Sequence, residues 1–291
     1  MAGTGATEEQ GRGIAAMAAC AFFWSLAGVF IKLVDWNPFA IAGARSLIAS
    51  LFLFACVRKP KFSFRPAQIG AALAYAATML LFVFANKRTS SANAILLQYG
   101  APIYVALMSS FMLKERPKAE AWAALAAVVV GMGLFFKDGL GGGSLVGDIA
   151  ATLAGVTFAL HIVLMRKQKD GSPLESLLLG HIATAIVAIG IAFFLPAPVF
   201  TGKAIVAMFG LGVVQIGMAG LFFAYGIKRV TALQGILIAV IEPVLNPVWV
   251  YLATGEKPTA AAVAGGGIIV TAVLVSSVIS VHRARTRKTT Q

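Results

Sequence analysis

Apolar runs of about twenty residues, set apart by short clusters of charged residues, Pro and Gly, follow one another along nearly the whole chain. A helix crosses the ~30 Å hydrocarbon core of a bilayer in about 20 residues, whereas a barrel strand needs only about 10 residues of alternating polarity. These runs are too long and too evenly apolar for strands. Backbone N–H and C=O groups find no water in lipid, so each run is expected to satisfy them internally as an α-helix. With the charge clusters, Pro and Gly as punctuation, the pattern predicts helices near 13–34, 38–57, 66–86, 91–113, 119–136, 145–165, 174–195, 203–226, 231–253 and 259–281. Short connections leave no room for a separate soluble domain. The expected fold is an all-α integral membrane protein with ten transmembrane helices.

One phrase occurs twice. Pro102 lies thirteen residues before Glu115-Arg116-Pro117, and Pro243 lies thirteen before Glu256-Lys257-Pro258, so both landmarks recur at a spacing of 141 residues. Self-similarity at a fixed spacing marks a duplicated unit. The units are expected over 13–137 and 145–282, joined by a Gly-rich linker at 138–144 and followed by a basic tail at 283–291. Each holds five helices, an odd number, so the second must sit inverted in the membrane relative to the first. Inverted repeats of this kind build transporters.

Composition agrees: 59% of residues are hydrophobic and 12% charged, which would leave a soluble domain covered in exposed hydrocarbon. A net charge of +13 would suggest nucleic acid in a soluble protein. Here the basic residues cluster between apolar runs and set orientation, so no nucleic-acid partner is expected. Of the 24 lysines and arginines, 17 fall on the side that holds both termini, which places the termini in the cytoplasm. Glu8, Glu9 and Arg12 precede a first run that lacks a short hydrophobic region with a cleavage site, so it reads as a retained helix. Cys20 and Cys56 lie inside apolar runs and imply no disulfide framework.

Solute sites in inverted-repeat carriers lie near the bilayer midplane where the halves meet. Trp24, Tyr99 and Glu242 each fall roughly 12–17 Å into their helices by a rise of ~1.5 Å per residue. A carboxylate at the bilayer centre costs ~2.5–3.5 kcal/mol or more unless protonated, paired or wet. Glu242 should therefore face the interior, with Asn246 and Trp249 on the same helix face. It is open to three readings: satisfying the backbone at a kink near Pro243, binding a substrate ammonium, or carrying a proton. Arg45 lies about 10 Å below the outer surface, and its planar fork suits a carboxylate. It could instead cap carbonyls, snorkel outward or pair with Glu242. His161 and His181, buried in the second half, are candidates for proton relay or ordinary hydrogen-bonded core residues. Met79 joins Tyr75, Phe82, Phe158, Phe222 and Tyr225 as a soft wall for hydrophobic side chains. Asn93 and Gln98 sit too far apart around one helix to share a narrow cavity, and Gln215 and Gln234 read equally as interhelical glue.

The phrases running from Pro102 to Leu113-Lys114-Glu115-Arg116-Pro117 and from Glu242-Pro243 to Gly255-Glu256-Lys257-Pro258-Thr259 resemble those of the drug/metabolite transporter superfamily. The likeness is to its ten-helix form with two EamA-type repeats, and extends from Trp24-Ser25 in the first helix through the tenth. Within the superfamily the chain looks most like the YddG-type amino-acid exporters. That resemblance implies efflux of aromatic and other neutral amino acids across a bacterial inner membrane by alternating access. Export of drugs or another small metabolite suits the same cavity, and a channel-like pore suits it less. The partners implied are a small-molecule substrate, the lipid bilayer and, as a further candidate, protons. No P-loop, HExxH, GxSxG or metal-ligand cluster occurs, so neither catalysis nor a cofactor or metal is expected.

Overall fold

The computed structural model of the chain describes residues 2–140, 144–171, 173–254 and 259–289. Glu256-Lys257-Pro258 and Gly141 to Gly143 of the linker lie outside the described residues, as do the side chains of Asn246 and Lys32. The described residues are helical and contain no strand. The first repeat contributes α1 (Ala2–Ser25), α2 (Ala27–Lys32), α3 (Pro38–Val57), α4 (Pro66–Arg88), α5 (Ser91–Gln98), α6 (Ala101–Met112) and α7 (Ala119–Phe136). The second contributes α8 (Leu145–Lys167), α9 (Pro173–Ala192), α10 (Gly202–Phe209), a π-helical segment (Gly210–Met218), α11 (Ala219–Ile227), α12 (Ala232–Ala239), α13 (Ile241–Thr254) and α14 (Ala260–Thr289). Among the described residues, nine helical stretches are long and apolar enough to cross a membrane. The shorter apolar stretch Ala232–Leu245 runs on through α13 to complete the tenth span.

Spans one, four and nine are each made of two helices rather than the single helix the hydrophobic pattern predicts: α1 and α2, α5 and α6, α12 and α13. Pro102 and Pro243 are not themselves the break points. Each lies in the first turn of α6 or α13, where a missing N–H costs nothing because the first four donors of a helix have no intrahelical acceptor. The interruption falls just before them, at Tyr99-Gly100 and at Val240. The two copies agree closely here. Helices α5 and α12 begin and end at positions 141 apart, and each opens on a hydroxyl cap, Ser90 accepting from Asn93 N–H at 3.1 Å and Thr231 from Gln234 N–H at 3.2 Å.

Three other boundaries differ from expectation. The first helix starts at Ala2 rather than 13, because its polar opening turns are held by charge: Arg12 approaches Glu8 and Glu9, and Arg229 reaches Glu9 at 2.6 Å. Helix α14 likewise continues past the apolar run, where Arg283 pairs with Glu120 at 2.6 Å. Span eight is 26 residues long against 23 in its counterpart α4, and its middle is π-helical. That widened turn lies against α3, with Gly212 so close to Ile48 that an added Cβ would meet it at 2.5 Å.

Helix α4 packs on α8 and α9, α3 on α9 and the π segment, and α1 on α11, so the repeats interlock around one buried cluster that includes Met17, Leu53, Val105, Ile162, Leu178, Phe223 and Ile238. Helices α7 and α14 pair with each other and add Leu125, Val128, Met132, Ile269 and Val273 to that cluster. At the face carrying the termini, Lys114 takes a left-handed conformation (φ 56°), which turns the chain sharply after α6 and lets Glu115 N–H bond back to Ser109 O at 3.2 Å. The turn aims the Glu115 carboxylate into the second repeat. One oxygen accepts from Arg166 Nε at 2.8 Å and the other from Ala232 N–H, in the first turn of α12, at 3.0 Å.

Candidate functional site

The breaks in spans four and nine meet deep in the molecule. Tyr99 occupies the gap between α5 and α6, and Glu242 stands in the first turn of α13. The Tyr99 hydroxyl donates to Glu242 Oε2 at 2.6 Å, a short charge-assisted geometry. The start of α13 suits a carboxylate, since free N–H groups and the helix dipole leave partial positive charge there. Interrupted helices expose backbone groups at membrane depth, which is tolerated only where protein buries them or a cavity wets them. Duplication positions both breaks, but the bond between them is not duplicated: Ala101 and Val240, the repeat equivalents of Glu242 and Tyr99, are apolar and fully buried.

The break in span one is knitted to the second repeat by side chains. Trp24 C=O, at the end of α1, accepts from Gln215 Nε2 of the π segment at 3.2 Å. Ser25 Oγ donates to Phe22 O at 2.6 Å and accepts from Trp249 Nε1 at 2.7 Å. The indole of Trp24 then lies against Phe158 and Phe223, with ring centroids 6.1 and 5.6 Å away.

Arg45 projects from α3 toward α4, where its Nη2 points at Met79 Sδ at 3.6 Å, and its Nε is buried with no partner. Among the described residues no ion pair joins Arg45 to Glu242. Both residues are partly rather than fully buried. One turn before Met79 on α4, Tyr75 packs between the histidines, its ring 5.1 Å from His161 and 4.8 Å from His181. Its hydroxyl lies 3.4 Å from His181 Nε2, while His181 Nδ1 is buried without a partner. His161 Nδ1 is 2.9 Å from Ala71 O and its ring stacks on Phe223, which thus touches both His161 and Trp24.

The structure joins Tyr99 to Glu242 and Arg45 to Met79, and links Trp24 to His161 through Phe223. The side chain of Asn246, expected beside Glu242, lies outside the described part. Trp249, expected on the same stripe, turns its indole N–H to Ser25. Asn93 bonds Asp148 and Thr89 near the opposite face and is remote in role from this centre. Gln215 acts as the interhelical glue its isolated amide suggested, whereas sequence reasoning missed the parts played by Ser25 and Phe223. No spacing signals them, because their partners come from helices up to 224 positions away.

Residues 11–137 and again 145–278 match the EamA-like transporter family. The chain belongs to the EamA-like transporter family. It is similar to an uncharacterized transporter of Archaeoglobus fulgidus, 27% identical over 270 residues that cover 91% of this chain and 96% of the relative. A solved crystal structure superposes with a TM-score of 0.80 at 20% identity, over 92% of this chain and 96% of the other, a likeness of fold alone. This EamA-like chain is thus a multi-pass membrane transporter, working on small molecules within lipid.

Proposed function

We propose that the protein exports amino acids, aromatic and other neutral ones, across the bacterial inner membrane by alternating access, with both termini in the cytoplasm. The observation that carries this reading is Arg45: a guanidinium within a membrane span, its Nε buried without a partner and no carboxylate paired with it among the described residues, in a molecule whose other mid-membrane charge candidate is the Tyr99-bound Glu242. A lone buried charge is costly, and the cost is recovered when an opposite charge with good hydrogen-bond geometry arrives. A zwitterion supplies two. Its carboxylate would take the Arg45 fork, its ammonium would take Glu242, and its side chain would lie against Trp24, Phe158, Phe223 and Met79. The two domains 13–137 and 145–282 would rock about this point.

Proton coupling would fall first on Glu242, which the ammonium and a proton would compete for, with His161 and His181 behind Tyr75 as further carriers. Export rather than import follows from resemblance to amino-acid exporters, and the cytoplasmic termini follow from charge distribution.

The test is uptake by proteoliposomes across a panel of the twenty amino acids, with and without an imposed proton gradient, followed by counterflow. Preloaded neutral amino acids should drive transient uphill uptake of label. Arg45→Ala should abolish it for zwitterions. Glu242→Gln should weaken substrate binding and flatten the dependence on pH. If no amino acid shows counterflow in protein that elutes as a single folded species, the assignment to amino acids is wrong and the family's other small-molecule substrates come forward.

A further inference from the structure

We infer that the protein holds one anionic phospholipid at the face carrying its termini, its phosphate in a cleft beside Arg116 and Lys118 and an acyl chain in the trench between α7 and α14. A cleft of about 590 Å³ lies between the end of α6, the start of α7, α12 and the end of α14. A second space of about 650 Å³ runs between α7 and α14, floored by small residues such as Ala123, Ala127, Ala264 and Gly267. Glu120 and Ser276 line both, so polar cleft and apolar trench form one continuous surface.

Each half of that surface calls for a different part of one molecule. The spans of α7 and α14 are the least enclosed of the described spans, with 28% and 22% of their apolar windows buried, so the trench faces hydrocarbon. From Ser276 to Ala264 it runs about 18 Å along α14, close to the ~15 Å depth of one leaflet. In the cleft the carboxylates are already engaged. Glu115 is bound by Arg166 and the Ala232 N–H, and Glu120 by Arg283. Arg116 and Lys118 line the same cleft, exposed and in no ion pair among the described residues. Beside them Gln234 Nε2 is buried without a partner. Ser280 Oγ accepts from Gln10 and keeps its own proton to donate. Two free cations and two free neutral donors describe a site for an anion with several acceptor oxygens. A soluble phosphate would satisfy that chemistry, but the continuity with the trench favours one carried on an acyl chain.

Native mass spectrometry of the detergent-purified chain with phosphatidylglycerol and phosphatidylcholine of matched acyl length tests this. A single phosphatidylglycerol should be retained about thirtyfold more than phosphatidylcholine, and Arg116→Ala and Lys118→Ala should each lower retention about fivefold, as expected for a basic residue beside an anionic headgroup. Ala127→Phe fills the trench without touching a charge and should also release the lipid, in protein that still elutes as one folded species. Excess inorganic phosphate should not displace it. Equal retention of the two lipids, or indifference to loss of Arg116 and Lys118, would overturn the site. Retention untouched by Ala127→Phe, or displacement by inorganic phosphate, would overturn the lipid and leave a plain anion site.

Discussion

A tyrosine hydroxyl and a carboxylate, contributed by residues 99 and 242, make the contact on which the centre of this protein turns. Both were legible from depth alone, because ionisable and polar groups cost too much in mid-membrane to occur there without a partner. The identity of the partner was not legible. Glu242 had no obvious claim on Tyr99 rather than Arg45, since the choice depends on how two broken spans cross. The same holds for Tyr75, which only helix packing puts between His161 and His181. Tyr99→Phe removes the donor and keeps the ring. Hydrogen bonds to charged groups contribute ~1.5–3 kcal/mol, so the purified variant should melt several degrees lower and bind an amino-acid substrate with altered affinity. An unchanged melting curve and an unchanged KM together would mean that the bond holds nothing.

At the scale of elements, hydrophobic pattern located the ten spans but not the interruptions within them. Proline was a misleading marker: Pro102 and Pro243 begin the helices that follow the breaks. The break after Ser25 has no proline at all and is held open by Gln215 and Trp249 from the other repeat. Gln215→Leu removes the donor to the Trp24 carbonyl and should cost ~0.5–1.5 kcal/mol, seen as a lower melting temperature. Close helix approach gives a sharper test. At Gly265 an added Cβ would meet the Gly131 carbonyl oxygen and the Phe135 backbone nitrogen, each at 2.5 Å, and backbone cannot swing aside. Gly265→Ala should therefore part α7 from α14 and destabilise by ~1–3 kcal/mol. Gly133→Ala, where nothing lies within 4 Å, should leave the melting temperature unchanged or slightly raised.

For the whole molecule, the duplicated phrase foretold the inverted architecture, while the work done by its glutamate appeared only in three dimensions. Glu115 belongs to the first repeat, yet both its oxygens are spent on the second, on Arg166 and on the first turn of α12. Arg166 is held in turn by the Ile227 and Lys228 carbonyls at 3.1 and 2.6 Å. Alternating access, as proposed, would part this joint whenever the terminus-bearing face opens. Arg166 and Glu115 are 12% and 23% exposed, so the pair is worth more than a surface ion pair and less than a dry one, ~1–2 kcal/mol. Glu115→Gln should then raise the population open at that face about five- to thirtyfold. The readout is Ala106→Cys, on α6 one turn deeper than the cleft-lining Ser109 and 0% exposed, in a chain with Cys20 and Cys56 replaced by alanine. A membrane-impermeant maleimide applied from that face should label it faster in the Glu115→Gln background. The pair of Arg229 with Glu9, whose carboxylate is 45% exposed, supplies the control: Glu9→Gln removes an ion pair at the same face and should leave the labelling rate near that of the unaltered joint. Equal rates for all three proteins would assign closure to apolar packing around Val105 and Ile238 instead, and the glutamate of the repeated phrase would be a fold landmark without a part in the motion.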